Sequence, residues 1–236
     1  MNDNLRTLNV LPTVEPYSNL ASFTQVKGNK NATATPSVLA ASDNTAVVDW
    51  VFLELRNSAD PSVIVATQSV LVRRDGVIVD AEGNVSIYFG DVPQGNYYVA
   101  VRHRNHFGIR TANALNFVKG VATAFDFTTP TANIYVNPSI TSNPPTKTIT
   151  VAGVDYRTLW TGDINQDGFI KYNGSKNDRS VILLKVGGVL TNTSSGYVSE
   201  DVNMNGIAKY NGSLNDRSVL LLNVGGILTN VLKQHL

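Results

Sequence analysis

The feature that most constrains this chain is a loop that occurs twice. It first reads Asp163-Ile-Asn165-Gln-Asp167-Gly168-Phe169-Ile170-Lys171-Tyr172-Asn173-Gly174-Ser175-Lys-Asn177-Asp178-Arg179. It returns 38 residues later, from Asp201 to Arg217. Between Asp163–Asn192 and Asp201–Asn230, 21 of 30 positions are identical. Each copy runs into a short apolar stretch and then a Gly-Gly pair, Gly187-Gly188 or Gly225-Gly226.

Oxygen-bearing side chains at loop positions 1, 3 and 5, followed by glycine at 6, match the opening of an EF-hand calcium loop. Alternate residues of a tight loop can aim their oxygens at one hard cation, and glycine permits the sharp turn. The expected ligands are Asp163, Asn165 and Asp167 in the first copy, and Asp201, Asn203 and Asn205 in the second. Phe169 and Ile207, at position 7, would each contribute a backbone carbonyl. The pattern then departs from the EF-hand. Position 9 is a lysine (Lys171, Lys209) and position 12 a glycine (Gly174, Gly212). The next carboxylates, Asp178 and Asp216, stand at position 16. This reads as a four-residue bulge before a closing aspartate.

Asp, Asn and Gly also favour plain turns. Charge distribution speaks for a cation instead. From Val151 onward there are seven acidic residues, and five occupy ligand positions. The expectation is two Ca²⁺ sites. The first, with three carboxylates, should be the tighter and the second, with two, the weaker, because ligand charge tunes affinity. Calorimetry that finds equal affinities contradicts that order. The apolar stretches predict short helices at Asp178–Val186 and Asp216–Val224, ended by the glycine pairs. Helices this short need mutual packing and the metal clamp.

The net charge of +1 and 16% charged residues give no electrostatic case for nucleic acid or an anionic membrane. No apolar run reaches the roughly 20 residues of a membrane span. There is no cysteine, so no disulfide can staple the fold and bound metal is one substitute. The start, Met1-Asn-Asp-Asn-Leu5, lacks the basic and apolar stretches of a signal peptide. Abundant Thr, Asn and Ser with low charge favour a mature extracellular chain or a fragment of one.

Residues 1–45 are weakly patterned and read as an N-terminal arm. From Val47 the pattern turns to β. Val47–Arg56 is a long strand with Trp50 and Phe52 in the core. Val63–Ala66 and Gln68–Arg74 give one or two more, and Asp75-Gly76 is a hairpin turn. Val85–Phe89, Asn96–His106, Ala122–Phe127 and Ala132–Val136 complete the set. Short strands with turn signals every 8–15 residues imply a mainly β chain: an antiparallel, Ig-like β-sandwich over 46–137. Residues 138–150, rich in proline, form a linker, and 151–236 form a small α module built on the repeat.

Arg102-His103-Arg104-Asn105-His106 is the one polar cluster of the sandwich region. On an unbroken strand His103 and His106 point to opposite faces, so they form no metal pair unless the strand ends between them. A hydrogen-bonded edge or contact surface is the expected role. Tyr172 and Tyr210 match in the two copies, as do Arg179 and Arg217. Packing is expected of the tyrosines, and contact with a partner is open to all four. No nucleophile, phosphate-loop or zinc-hydrolase motif is present, so an enzyme is not expected.

The duplicated Asp-x-Asn-x-Asp/Asn-Gly loop, preceded by Gly162 in the first copy, resembles dockerin repeats, the paired calcium motifs of secreted bacterial proteins. The version ending Tyr-Asn-Gly-Ser-x-Asn-Asp-Arg is similar to C-terminal repeats of large extracellular proteins of gliding Gram-negative bacteria. Val48–Arg56, Arg73–Gly76 and Tyr97–His106 look like the module that precedes those repeats. The resemblance implies secretion or surface display, calcium, and a non-catalytic role in adhesion or assembly. Three readings follow. One is a structural or adhesion module, self-associating if Leu5–Leu11 is donated as a strand to a neighbour. The second is an adaptor that binds a cohesin through Arg179-Ser180 and Arg217-Ser218. The third is a glycan-binding surface, for which Tyr88, Tyr97 and Tyr98 are the clustered aromatics.

Overall fold

A computed structural model describes all residues, 1–236. The chain is mainly β, 28% strand and 12% helix, and every sheet in it is antiparallel. The main sheet is built on β1 (Val47–Asn57), flanked by β2 (Ile64–Arg73) and β4 (Gly95–His103). β3 (Ile78–Val79) closes one edge, while β5 (His106–Arg110) and β6 (Leu115–Phe117) pair with β4 at the other. Asp75-Gly76 makes the β2–β3 turn as expected, with Gly76 at φ 87°.

Nearly every residue of β1 is buried, because both faces of the sheet are covered. Alternation sends Trp50 and Phe52 to one face and Val51 and Leu53 to the other. This accounts for the unbroken apolar run Trp50–Leu53 where a one-sided strand would alternate. The covering layers are not a second sheet. On the Trp50 face lie residues of the N-terminal segment, Leu5, Leu11, Tyr17, Phe23 and Ala34. On the Val51 face lie Ile87, Phe89, Phe127, Ala132 and Ile134. The segments 85–89, 122–127 and 132–136, expected as strands, are irregular chain. Ile87, Phe89, Phe127, Ala132 and Ile134 pack on the sheet, whereas Val85 and Val136 are exposed, and the segments form no ladder beyond one isolated bridge from Ile134 to Thr111.

The N-terminal arm is thus part of the core. Residues Asn4–Thr7 form a helical turn (α1) and Pro36–Ala40 a second (α2). The Tyr17 hydroxyl donates to the Trp50 carbonyl (2.7 Å), and the Trp50 indole donates to the Pro12 carbonyl (2.9 Å). The buried Glu15 carboxylate accepts from Ser69 Oγ (2.8 Å) and from the Tyr17 (2.9 Å) and Asn31 (3.1 Å) amides. Leu5–Leu11 is seated on its own sheet, so donation of that arm to a neighbour falls away.

The strand expected over Asn96–His106 is two strands. β4 ends at His103, the chain turns at Arg104-Asn105, and β5 begins at His106. Neither turn residue has positive φ, so the glycine signal of a tight hairpin is missing. The expected linker is also more structured than predicted. Asn143 is buried and brackets Lys233, donating to its carbonyl (3.0 Å) and accepting from its amide (2.8 Å). β7 (Lys147–Val151) and β8 (Val154–Thr158) then form a hairpin turned at Ala152-Gly153.

The repeat module holds β9 (Phe169–Lys171), α3 (Asp178–Lys185), β10 (Thr193–Ser195), β11 (Ile207–Lys209), α4 (Asp216–Asn223) and β12 (Val231–Lys233). The helices stop within a residue of the expected ends. Each loop strand pairs across the duplication: β9 with β12, and β11 with β10. A core of Ile164, Ile170, Tyr172, Ile182 and Val186 with Val202, Tyr210, Leu220 and Val224 knits the copies together. Phe107, from β5 of the main sheet, joins that core.

Candidate metal centre

The two loops fold alike. Position 4 is left-handed in both, Gln166 at φ 57° and Met204 at φ 60°, and position 6 is glycine at φ 78° and 84°. Asp163 accepts from the amides of Asp167 (3.1 Å) and Gly168 (3.2 Å). Asp201 accepts from those of Asn205 (3.0 Å) and Gly206 (2.7 Å). The side-chain oxygens of Asn165 and Asn203 accept from the amide two residues on, both at 3.1 Å. Asp167 accepts from the Phe169 amide and Asn205 from the Ile207 amide, both at 3.0 Å. Phe169 and Ile207 open β9 and β11.

The closing aspartates come back into the loops. Asn177 and Asn215 cap the helices, accepting from the Ser180 and Ser218 amides at 2.9 Å each. That frees the Asp178 carboxylate to bridge the Ile164 and Lys171 amides, both at 2.9 Å. Asp216 likewise bridges Val202 (2.9 Å) and Lys209 (2.7 Å). The four-residue bulge lies outside, with Gly174 and Gly212 at positive φ.

Asp163, Asp178, Asp201 and Asp216 are at most 1% exposed, and none forms an ion pair. Burial, with the neighbouring Asp167 charge, pushes the Asp163 carboxyl up to about 7. Asp178 rises to about 7 through burial, against the pull of its two backbone donors, with Asp163 and Asp167 adding to the rise. Asp216 also rises to about 7 through burial, with Asp201 adding, and burial raises Asp201. A cation among these oxygens would remove that penalty. Counting only His, Cys, Asp and Glu, no group of three closes as a ligand set. The Asn amide and backbone oxygens must therefore complete any shell, which suits a hard cation and not a transition metal.

The copies differ at positions 5 and 9. Lys171 Nζ stands 3.8 Å from Asp167 in the first loop. Lys209 Nζ in the second turns away to the Ser213 carbonyl (3.0 Å). Tyr172 and Tyr210 are buried in the module core. Arg179 and Arg217 lie over their rings at 4.8 and 4.9 Å, so each expected contact pair is first of all an internal stack. Among the clustered tyrosines, Tyr88 is exposed, whereas Tyr97 packs edge-on against Phe117. Tyr97 and Tyr98 are neighbours on β4 and so face opposite sides of the sheet, and Arg110 lies over the Tyr98 ring at 4.8 Å, so the three share no single face.

The residues that sequence reasoning underweighted are those of the β4–β5 turn. Because the strand ends at His103, the two histidines do meet, with ring centroids 4.5 Å apart. Their Nδ1 atoms are 2.8 Å apart, and His103 Nε2 reaches Asp49 (3.0 Å). Arg104 also pairs with Asp49. Burial alone would raise the Asp49 carboxyl, but Arg104 and His103 hold it well below its ordinary range. Burial keeps both histidines neutral at ordinary pH. The group is a closed structural network at the junction of sheet and repeats. The only advance signal was its density of polar residues inside an apolar strand.

Comparison with known proteins returned nothing: no family model, curated protein or solved structure matches the chain. No helix is long and apolar enough to cross a membrane.

Proposed function

We propose that the chain is a calcium-stabilised, non-catalytic extracellular module for adhesion or assembly. The observation that carries this reading is the repeated pair of buried aspartates, Asp163 with Asp178 and Asp201 with Asp216. All four are held by backbone amides and none forms an ion pair; the pull of Arg102 on Asp163 and of Arg104 on Asp201 is outweighed by burial. Burying carboxylates without a counter-charge is costly, so a chain that does so twice at identical positions is built to receive a cation. Asp163, Asn165, Asp167 and Asp178, with the Phe169 carbonyl, would hold the first ion. Asp201, Asn203, Asn205 and Asp216, with the Ile207 carbonyl, would hold the second. The ion supplies positive charge and crosslinks each loop to the start of its helix. The resemblance to dockerin repeats points the same way and adds secretion or surface display.

The test is thermal unfolding in calcium and in EDTA. Calcium at about 100 times its dissociation constant stabilises by about 2.7 kcal/mol per site. For a chain of this size each kcal/mol moves the melting temperature by about 2–4 °C. Chelation should therefore lower it by about 10 °C or more. An unchanged melting temperature contradicts the assignment.

A further inference from the structure

Position 4 of each loop is not a ligand position, yet both side chains reach the same place. Gln166 Nε2 donates to the carbonyls of His103 (3.3 Å) and Arg104 (3.1 Å) in the β4–β5 turn. It also donates to the carbonyl of Asp163, the first residue of its own loop (2.9 Å). The Met204 sulfur accepts from the Arg104 guanidinium (3.2 Å). Asn105, fully buried, touches the head of both loops. Its carbonyl accepts from the Gly162 amide (2.7 Å), next to Asp163. Its side-chain nitrogen donates to the carbonyls of Asp201 and Ser199, both at 2.9 Å.

We infer that the β4–β5 turn of the main sheet is a third component of both metal sites. Asn105 positions the second loop, and Gln166, braced on the turn, positions the first. The inference rests on the calcium reading of the loops. In each loop the carbonyl of position 1 is tied to the turn, directly by Asn105 or through Gln166. The position-1 carboxylate hangs from that same residue. A calcium loop works only if its oxygens are held at the ion's spacing, so the residues that fix its backbone set the affinity. The turn is itself rigid, since Arg104 and His103 are locked on Asp49. Coupling is reciprocal: ions in the loops tighten the junction, and an intact junction tightens the ions. Sheet and repeats then respond to calcium as one unit.

Calcium titration of the full chain by calorimetry tests this on Asn105→Ala and Gln166→Met, the second of which keeps the side-chain bulk. Asn105→Ala should weaken the second site by about tenfold or more, the usual loss for an outer-shell partner, and spare the first. Gln166→Met should do the reverse. A purely structural role would lower the melting temperature of either variant without singling out one site. Equal losses at both sites, or no loss at either, overturn this inference while leaving the calcium sites standing. A wild-type chain that binds no calcium overturns both readings together. Should Asn105→Ala not fold, the site-selective loss in Gln166→Met decides.

Discussion

The two loops are the same backbone carrying different charges. They share left-handed residues, glycines, Asx contacts and a closing aspartate that bridges two amides. They differ in one carboxylate, Asp167 against Asn205, and in the company it keeps. Lys171 sits beside Asp167, whereas Lys209 is turned toward Ser213. The comparison separates what builds the loop from what would tune it for a cation. Hydrogen bonds from amides to Asp and Asn oxygens make the shape, and they are indifferent to whether position 5 is charged. The charge would set how strongly a cation is held.

The largest expected effect comes from removing the closing carboxylates. Asp178→Asn should abolish the first site and leave the second, and Asp216→Asn the converse, each read as one lost binding event by calorimetry. Loss of both events in either variant would mean the copies bind as one site. Next is the swap at position 5. Asn205→Asp gives the second loop three carboxylates and should tighten it about tenfold, toward the first, as added ligand charge does. No gain there would show that charge count does not rank these loops.

Acidity gives a third handle. In the folded chain without metal, Asp163, Asp178 and Asp216 sit at about 7, against an ordinary 3.8. They therefore hold protons below that point, and calcium must displace them. The gain in melting temperature on adding calcium should shrink as pH falls through about 7. His103 and His106 are depressed below 6.5, so their share of stability is present above that value and lost beneath it. That loss occurs with and without calcium and cancels in the difference. A calcium gain that is flat across this range contradicts the burial of these carboxylates. The smallest effect belongs to Lys171→Ala, which should tighten the first site a few-fold by freeing Asp167 from an i,i+4 partner. Lys209→Ala should change little.

The repeats were legible because their signals are local. Asp-x-Asn-x-Asp-Gly writes its own turn, Asn-Asp-Arg-Ser starts a helix, and Gly-Gly ends it. Trp50 and Phe52 were legible as core from the strength of the β1 run. What was not legible depends on contacts far apart in sequence. In 85–89, 122–127 and 132–136 the larger apolar residues Ile87, Phe89, Phe127 and Ile134 do cover the sheet, but period alone does not distinguish a covering loop from a strand. The arm lacked any pattern because single residues, Leu5, Leu11 and Tyr17, are each buried separately with polar chain between. Arg104 and Asn105 turn without glycine because the repeats supply partners for their buried polar groups. No local rule encodes a turn that is stabilised from another module.

The most direct test of the central claim is a calcium titration of the wild-type chain by calorimetry. Two binding events, the first assigned to the Asp163 loop by its loss in Asp178→Asn and the tighter of the two, are predicted. No binding, or a single event that survives both Asp178→Asn and Asp216→Asn, would contradict the account.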